Sequence, residues 1–130
     1  MKVLISTVAG PFSVDLETDE VDPWDGEVGL PQAPVLNLPR VLAAAAAGAT
    51  VVAVVDAKPP LLISYDTGST WRESGRGLPA GRAIAVAEDN PDLIVYAGRN
   101  RLFLSRNGGV FWSSLAVELP EIVAAVFPGS

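Results

Sequence analysis

The sequence contains no cysteine and no histidine. Without cysteine there is no disulfide framework and no thiolate nucleophile, and with histidine missing too the usual transition-metal sites are nearly excluded. No stretch reaches the roughly 18 to 20 apolar residues of a membrane-spanning helix. A secretory leader is disfavoured, because the apolar run from Val3 to Ala9 is short, includes Ser6 and Thr7, and meets Gly10-Pro11 at once. A cytoplasmic location is the simplest expectation. Basic residues number 9 against 15 acidic ones, and the net charge of -6 argues against general binding to nucleic acid or to anionic membranes. What the chain does have is apolar content, 49% of 130 residues, enough to bury one core as a single domain over residues 1–130.

Read in order, the chain is a series of short β-type runs broken by turn chemistry. Lys2 to Thr7 reads as a strand closed by a turn at Gly10-Pro11, and Phe12-Ser13-Val14 resumes it weakly. Acidic residues crowd between Asp15 and Glu27 around Trp24. A solvated acidic hairpin is preferred there over a calcium loop, since the acids lack EF-hand spacing and its closing glutamate. A proline-rich connection leads from Gly29-Leu30-Pro31 to Arg40. The run Ala43 to Ala47 favours helix by propensity. Its place in the pattern, shared with Ala83 to Ala87 and Val123 to Val126, favours strand. Thr50 to Val55 reads as a strand buried on both faces. Leu61 to Tyr65, Leu93 to Ala97 and Leu102 to Ser105 follow as strands, with Thr70-Trp71 and Phe111-Trp112 opening the last strand of each set.

The organising feature is a recurrence. Ser64-Tyr65-Asp66-Thr67-Gly68-Ser69-Thr70-Trp71 returns as Ser105-Arg106-Asn107-Gly108-Gly109-Val110-Phe111-Trp112, with 41 residues between Trp71 and Trp112 and the same spacing between two Leu-Pro pairs. From Trp24 to Trp71 the spacing is 47, the excess falling in the proline-rich connection. A period near 40 built of four short strands is that of a β-propeller blade. Asp or Asn heading a tight turn accepts backbone N–H bonds, Gly supplies φ > 0, and the Trp packs on the sheet. Ser64, Asp66, Gly68, Trp71, Ser105, Asn107, Gly109 and Trp112 are therefore expected to build structure. No residue is assigned as catalytic, no metal set is present and no cofactor is expected.

The signature resembles the Asp-box (BNR) motif, S-x-D-x-G-x-x-W, found in sialidases, sortilin-type receptors, some glycoside hydrolases and photosystem assembly factors. The resemblance implies an all-β propeller in which the box lies on the hairpin joining the third and fourth strands, away from the ligand face. Blade one is expected from 2–31 plus 122–127, blade two from 41–79 and blade three from 83–120. Three blades fall short of the four to eight of known propellers. The expected solution is a homodimer whose terminal strands are exchanged between subunits to give six blades. The face opposite the boxes would carry Arg40, Lys58, Arg82, Arg99 and Arg101, with Glu121 and Asp56 neutralising part of it, and would suit an anionic small molecule, a glycan or an acidic protein surface. The preferred function is a non-enzymatic binding or assembly module. The alternatives are a carbohydrate-active protein, whether lectin or sialidase-like hydrolase, and a purely structural ring. Against the hydrolase, neither Tyr65, beside the box turn, nor Tyr96, within a strand, is assignable as the nucleophile.

Overall fold

A computed structural model describes residues 1–29 and 33–128. The expected blade boundary at Leu30-Pro31 and the position of Gln32 lie outside the described residues. Among the described residues twelve strands form three four-stranded antiparallel sheets. The first sheet runs β12 (Ile122–Val126), β1 (Lys2–Thr7), β2 (Gly10–Asp15), β3 (Val21–Pro23). The second runs β4 (Val41–Ala47), β5 (Thr50–Val55), β6 (Leu61–Ser64), β7 (Arg72–Ser74). The third runs β8 (Ala83–Val86), β9 (Ile94–Ala97), β10 (Arg101–Ser105), β11 (Ser113–Glu118). Among the described residues no helix is long and apolar enough to cross a membrane.

The alanine run is strand β4, paired with β5 from Val41↔Val55 to Ala47↔Thr50. Helix propensity separates alanine from other ordinary residues by at most about 0.7 kcal/mol each. Ladder pairing and burial outweigh that preference. Alanines also occupy β8 and β12, so small side chains mark the first strand of every sheet. There the sheets converge: β4 packs beside β8, and β8 beside β12.

Strand alternation sends successive residues to opposite faces, and the third sheet shows the result. Ile84, Val86, Ile94 and Tyr96 pack on Val52, Val54, Leu61 and Ile63 of the second sheet. Their sequence neighbours Ala83, Ala85, Val95 and Ala97 pack on Val3, Ile5, Val14 and Ile122 of the first. The third sheet thus lies between the other two, packed on the second by one face and on the first by the other, an arrangement consistent with propeller blades. No comparable packing joins β4 to β12 or β1 among the described residues. The whole run Val51–Val55 is buried, in keeping with a strand covered on both faces.

Some boundaries differ from expectation. Gly10-Pro11 opens β2 and the turn falls at Val8-Ala9, because Gly10 pairs with Thr7. The fourth strands start at Arg72 and Ser113, one residue after each Trp, because the turn holds the preceding N–H groups. The chain ends do complement each other, but within one chain. β12 pairs with β1 through Leu4↔Val126, Ile5↔Ala125 and Ser6↔Ala124, so no exchange between subunits is needed to complete the first sheet.

Candidate functional site

Both turn signatures have the same internal wiring. The buried Ser64 hydroxyl donates to Asp66 Oδ1 at 2.7 Å and accepts the Gly68 N–H at 2.7 Å. Asp66 in turn accepts the Thr70 N–H at 2.8 Å and the Thr70 hydroxyl at 2.6 Å. In the later copy Ser105 bonds Asn107 at 3.0 Å and the Gly109 N–H at 2.8 Å, while Asn107 accepts the Phe111 N–H at 2.9 Å. Thr70, through its hydroxyl and its N–H, together with Ser64, holds the Asp66 carboxyl down at about 2. Gly68 and Gly109 sit at φ +92° and +93°, a region that favours glycine. The side-chain oxygens of Ser64, Asp66, Ser105 and Asn107 are thus spent inside their own turns.

The two tryptophans differ in surroundings. Trp112 stands edge-on to Tyr96, with ring centroids 6.1 Å apart, and its indole N–H donates to the Gly109 carbonyl at 3.2 Å and to Ser74 Oγ at 3.4 Å. It therefore links blade three to blade two. Trp71 is half-buried and packs beside Gly68. Trp24 is not a third copy. Its N–H bonds to the Pro11 carbonyl, so it follows β3 opposite Pro11 much as Ser74 lies opposite Leu61. Asp15 makes a tighter turn of its own, accepting the N–H groups of Glu17 and Thr18, and its carboxyl is lowered chiefly by the Glu17 bond.

Backbone bonds gather the expected basic residues at one end of the sheets. The Asp56 N–H bonds to the Arg40 carbonyl, that of Arg82 to Ala97, that of Ile122 to Arg99, and that of Val8 to Glu121. Lys58 lies in the same β5–β6 loop as Asp56. The turn signatures lie at the other end, where Thr67 bonds Ala49 and Gly108 bonds Asp92. Glu121 divides its carboxylate between Arg82 Nη1 at 3.4 Å and Arg99 Nε at 3.3 Å. Arg101 pairs with Glu118 at 2.8 Å, a partner that sequence reasoning did not supply. Such exposed pairs contribute only about 0 to 1 kcal/mol each. Their effect is to position the guanidiniums and reduce the net charge of this end. Arg40 and Lys58 have no salt-bridge partner among the described residues.

Sequence reasoning also missed a groove of about 740 Å³ where the outer strands of blades two and three meet. Arg72, Ser74 and Arg76 form one wall, and Phe103, Phe111 and Trp112 the other. It is bounded by β7 and the Gly75–Leu78 loop on one side and by Phe103 of β10, the Gly109–Trp112 turn and Ser114 of β11 on the other. The available signal was the glycine-rich Gly75-Arg76-Gly77, which cuts the fourth strand short. Compared with known protein families and with curated proteins, the chain matches none.

Proposed function

We propose that this protein is a non-enzymatic binding module that presents the end of its sheets bearing Arg40, Lys58, Arg82, Arg99 and Arg101 to an anionic partner. In this reading the turn signature is an Asp-box repeat, and two copies of the chain form a six-bladed ring. The observation that carries the binding face is the Glu121 bridge. One carboxylate holds two guanidiniums from the neighbouring blade side by side, and Arg99 remains 74% exposed. A carboxylate or phosphate ligand would meet the same fork of N–H donors. The ring is supported by the open arc, and by Leu42 and Val123, which stand 56% and 59% exposed on β4 and β12, the first strands of the arc's end blades.

Citrate and polyglutamate serve as small and polymeric anionic probes. Each is expected to raise the melting temperature in proportion to the logarithm of its concentration once above Kd, and to lose the effect at high salt. Glu121→Gln is expected to strengthen binding by freeing both guanidiniums, and Arg82→Ala with Arg99→Ala to abolish it. Binding indifferent to all three substitutions would remove the proposed face. Turnover in a fluorogenic glycoside screen, lost in Glu121→Gln, would replace the binding module with a hydrolase.

A further inference from the structure

The groove between the second and third sheets lies along their outer strands, on the side that carries Trp112, and reaches Pro59 of the β5–β6 loop at one end. It runs along the full length of β7, from Pro59 and Arg76 at one end to Tyr65 and Gly109 at the other. β7 is the outermost strand of its sheet. Among the described residues no strand lies beside its outer edge, the situation that accepts an added strand. Across the groove, Phe103 and Trp112 both stand edge-on to the buried Tyr96 at 6.1 Å, so the two rings are held in place before anything binds. Fixing them beforehand lowers the entropy lost on association. Phe111 is 74% exposed at the rim. Neither Arg72 nor Arg76 has a salt-bridge partner among the described residues, and both line the groove with one carboxylate, Glu73.

We infer that this groove takes an extended acidic peptide, laid along β7 as a fifth strand of blade two. Alternate side chains of such a peptide point the same way. One set would pack an apolar or aromatic residue against Phe103, Phe111 and Trp112, while acidic residues reach Arg72 and Arg76. A saccharide fits less well for a specific reason. Sugar recognition uses polar side-chain atoms set beside an aromatic face, and those nearest the rings are committed: the Tyr65 hydroxyl donates to the Gly108 carbonyl, Ser74 Oγ to the Gly109 carbonyl at 2.6 Å, and the Trp112 indole N–H to Gly109 and Ser74. The unspent hydrogen-bonding capacity lies in the β7 backbone, the two guanidiniums, the Glu73 carboxylate and the Ser114 hydroxyl. Binding at this groove does not depend on the ring or on the basic end.

The probe is an end-capped hexapeptide of glutamate, phenylalanine, aspartate, valine, glutamate and valine, titrated into ¹⁵N-labelled protein. Saturable shifts are expected at the amides of Arg72 to Ser74 and at the Trp112 indole N–H. Arg72→Ala combined with Arg76→Ala should weaken binding about tenfold or more, and Phe111→Ser should also weaken it. All three side chains are exposed, so an unchanged melting curve checks that the fold is kept. A version of the peptide N-methylated at alternate residues should not bind when the methyls fall on the β7 side, because strand addition needs those N–H groups. Equal binding of both methylation patterns and the parent would overturn strand addition. So would no shift at millimolar peptide, or shifts at these signals with polygalacturonate but not with the peptide.

Discussion

Gly68 and Gly109 offer a matched pair of substitutions that tests how the blades pack. Both occupy the same place in the turn signature at nearly the same φ, +92° and +93°, so alanine carries the same backbone strain at each, about 1 to 2 kcal/mol. Their surroundings differ. A Cβ on Gly68 would meet only Trp71 Cζ2 at 3.6 Å, an ordinary contact. One on Gly109 would fall on Ile63 Cδ1 of blade two, too close for any real contact, and Ile63 is 1% exposed with little room to withdraw. Forcing a methyl into a packed core costs typically about 1 to 3 kcal/mol more. Gly68→Ala should therefore lose about 1 to 2 kcal/mol and Gly109→Ala about 2 to 5 kcal/mol. Urea denaturation read by far-UV circular dichroism gives both values, with the midpoint shift interpreted at constant slope. Equal losses would mean that the later turn does not press on blade two, and the arc would have to be redrawn.

Three further outcomes follow from the hydrogen bonds. Tyr96 is buried, its hydroxyl donates to the Pro79 carbonyl, and desolvation pushes its ionisation up to about 12 from 10.0. Because the folded state keeps the proton longer than the unfolded chain, this contribution is full below pH 10 and is lost as pH rises towards 12, amounting to about 2 to 3 kcal/mol; denaturation midpoints of the parent and Tyr96→Phe should converge over that interval, and parallel curves would refute the assignment. Ser105→Ala should cost about 1 to 3 kcal/mol, since it strands the buried Gly109 N–H, and a loss within error of zero in urea would contradict the wiring. Asp66 is held down at about 2 from 3.8, so its stabilising effect is complete above about pH 4 and disappears as pH falls towards 2. Asp66→Asn, which imitates Asn107, should flatten the fall in urea midpoint over that range, and an unchanged slope would show that another carboxylate governs it.

The strands were legible because their signal is local. A β-branched run interrupted only by Ala53 marks β5, and the alanine run was rescued from a helical reading only by its place in the repeat. The turn signature was legible for the same reason: Ser64, Asp66, Gly68 and Thr70 satisfy one another within a few residues. What could not be read depends on which distant groups meet. Glu121 finds Arg82 and Arg99 at separations of 39 and 22 residues, and nothing in the spacing announces it. The sequence suggests a decayed first copy of the signature around Asp15 and Trp24, from an acidic residue and a tryptophan at roughly the right interval. The N–H bond of Trp24 to Pro11 places it past the fourth strand. The groove was invisible because it joins residues about 30 to 40 positions apart, β7 and its following loop with Phe103 and the Gly109–Trp112 turn, and no local spacing announces that meeting.

The central claim, a binding ring made from two copies of a three-bladed arc, is tested most directly by solution mass. Sedimentation equilibrium at tens of micromolar should give twice the 13.5 kDa chain mass, falling to one chain in a Leu42→Asp, Val123→Asp variant that retains its β spectrum. A single-chain mass for the parent protein across that concentration range would contradict it.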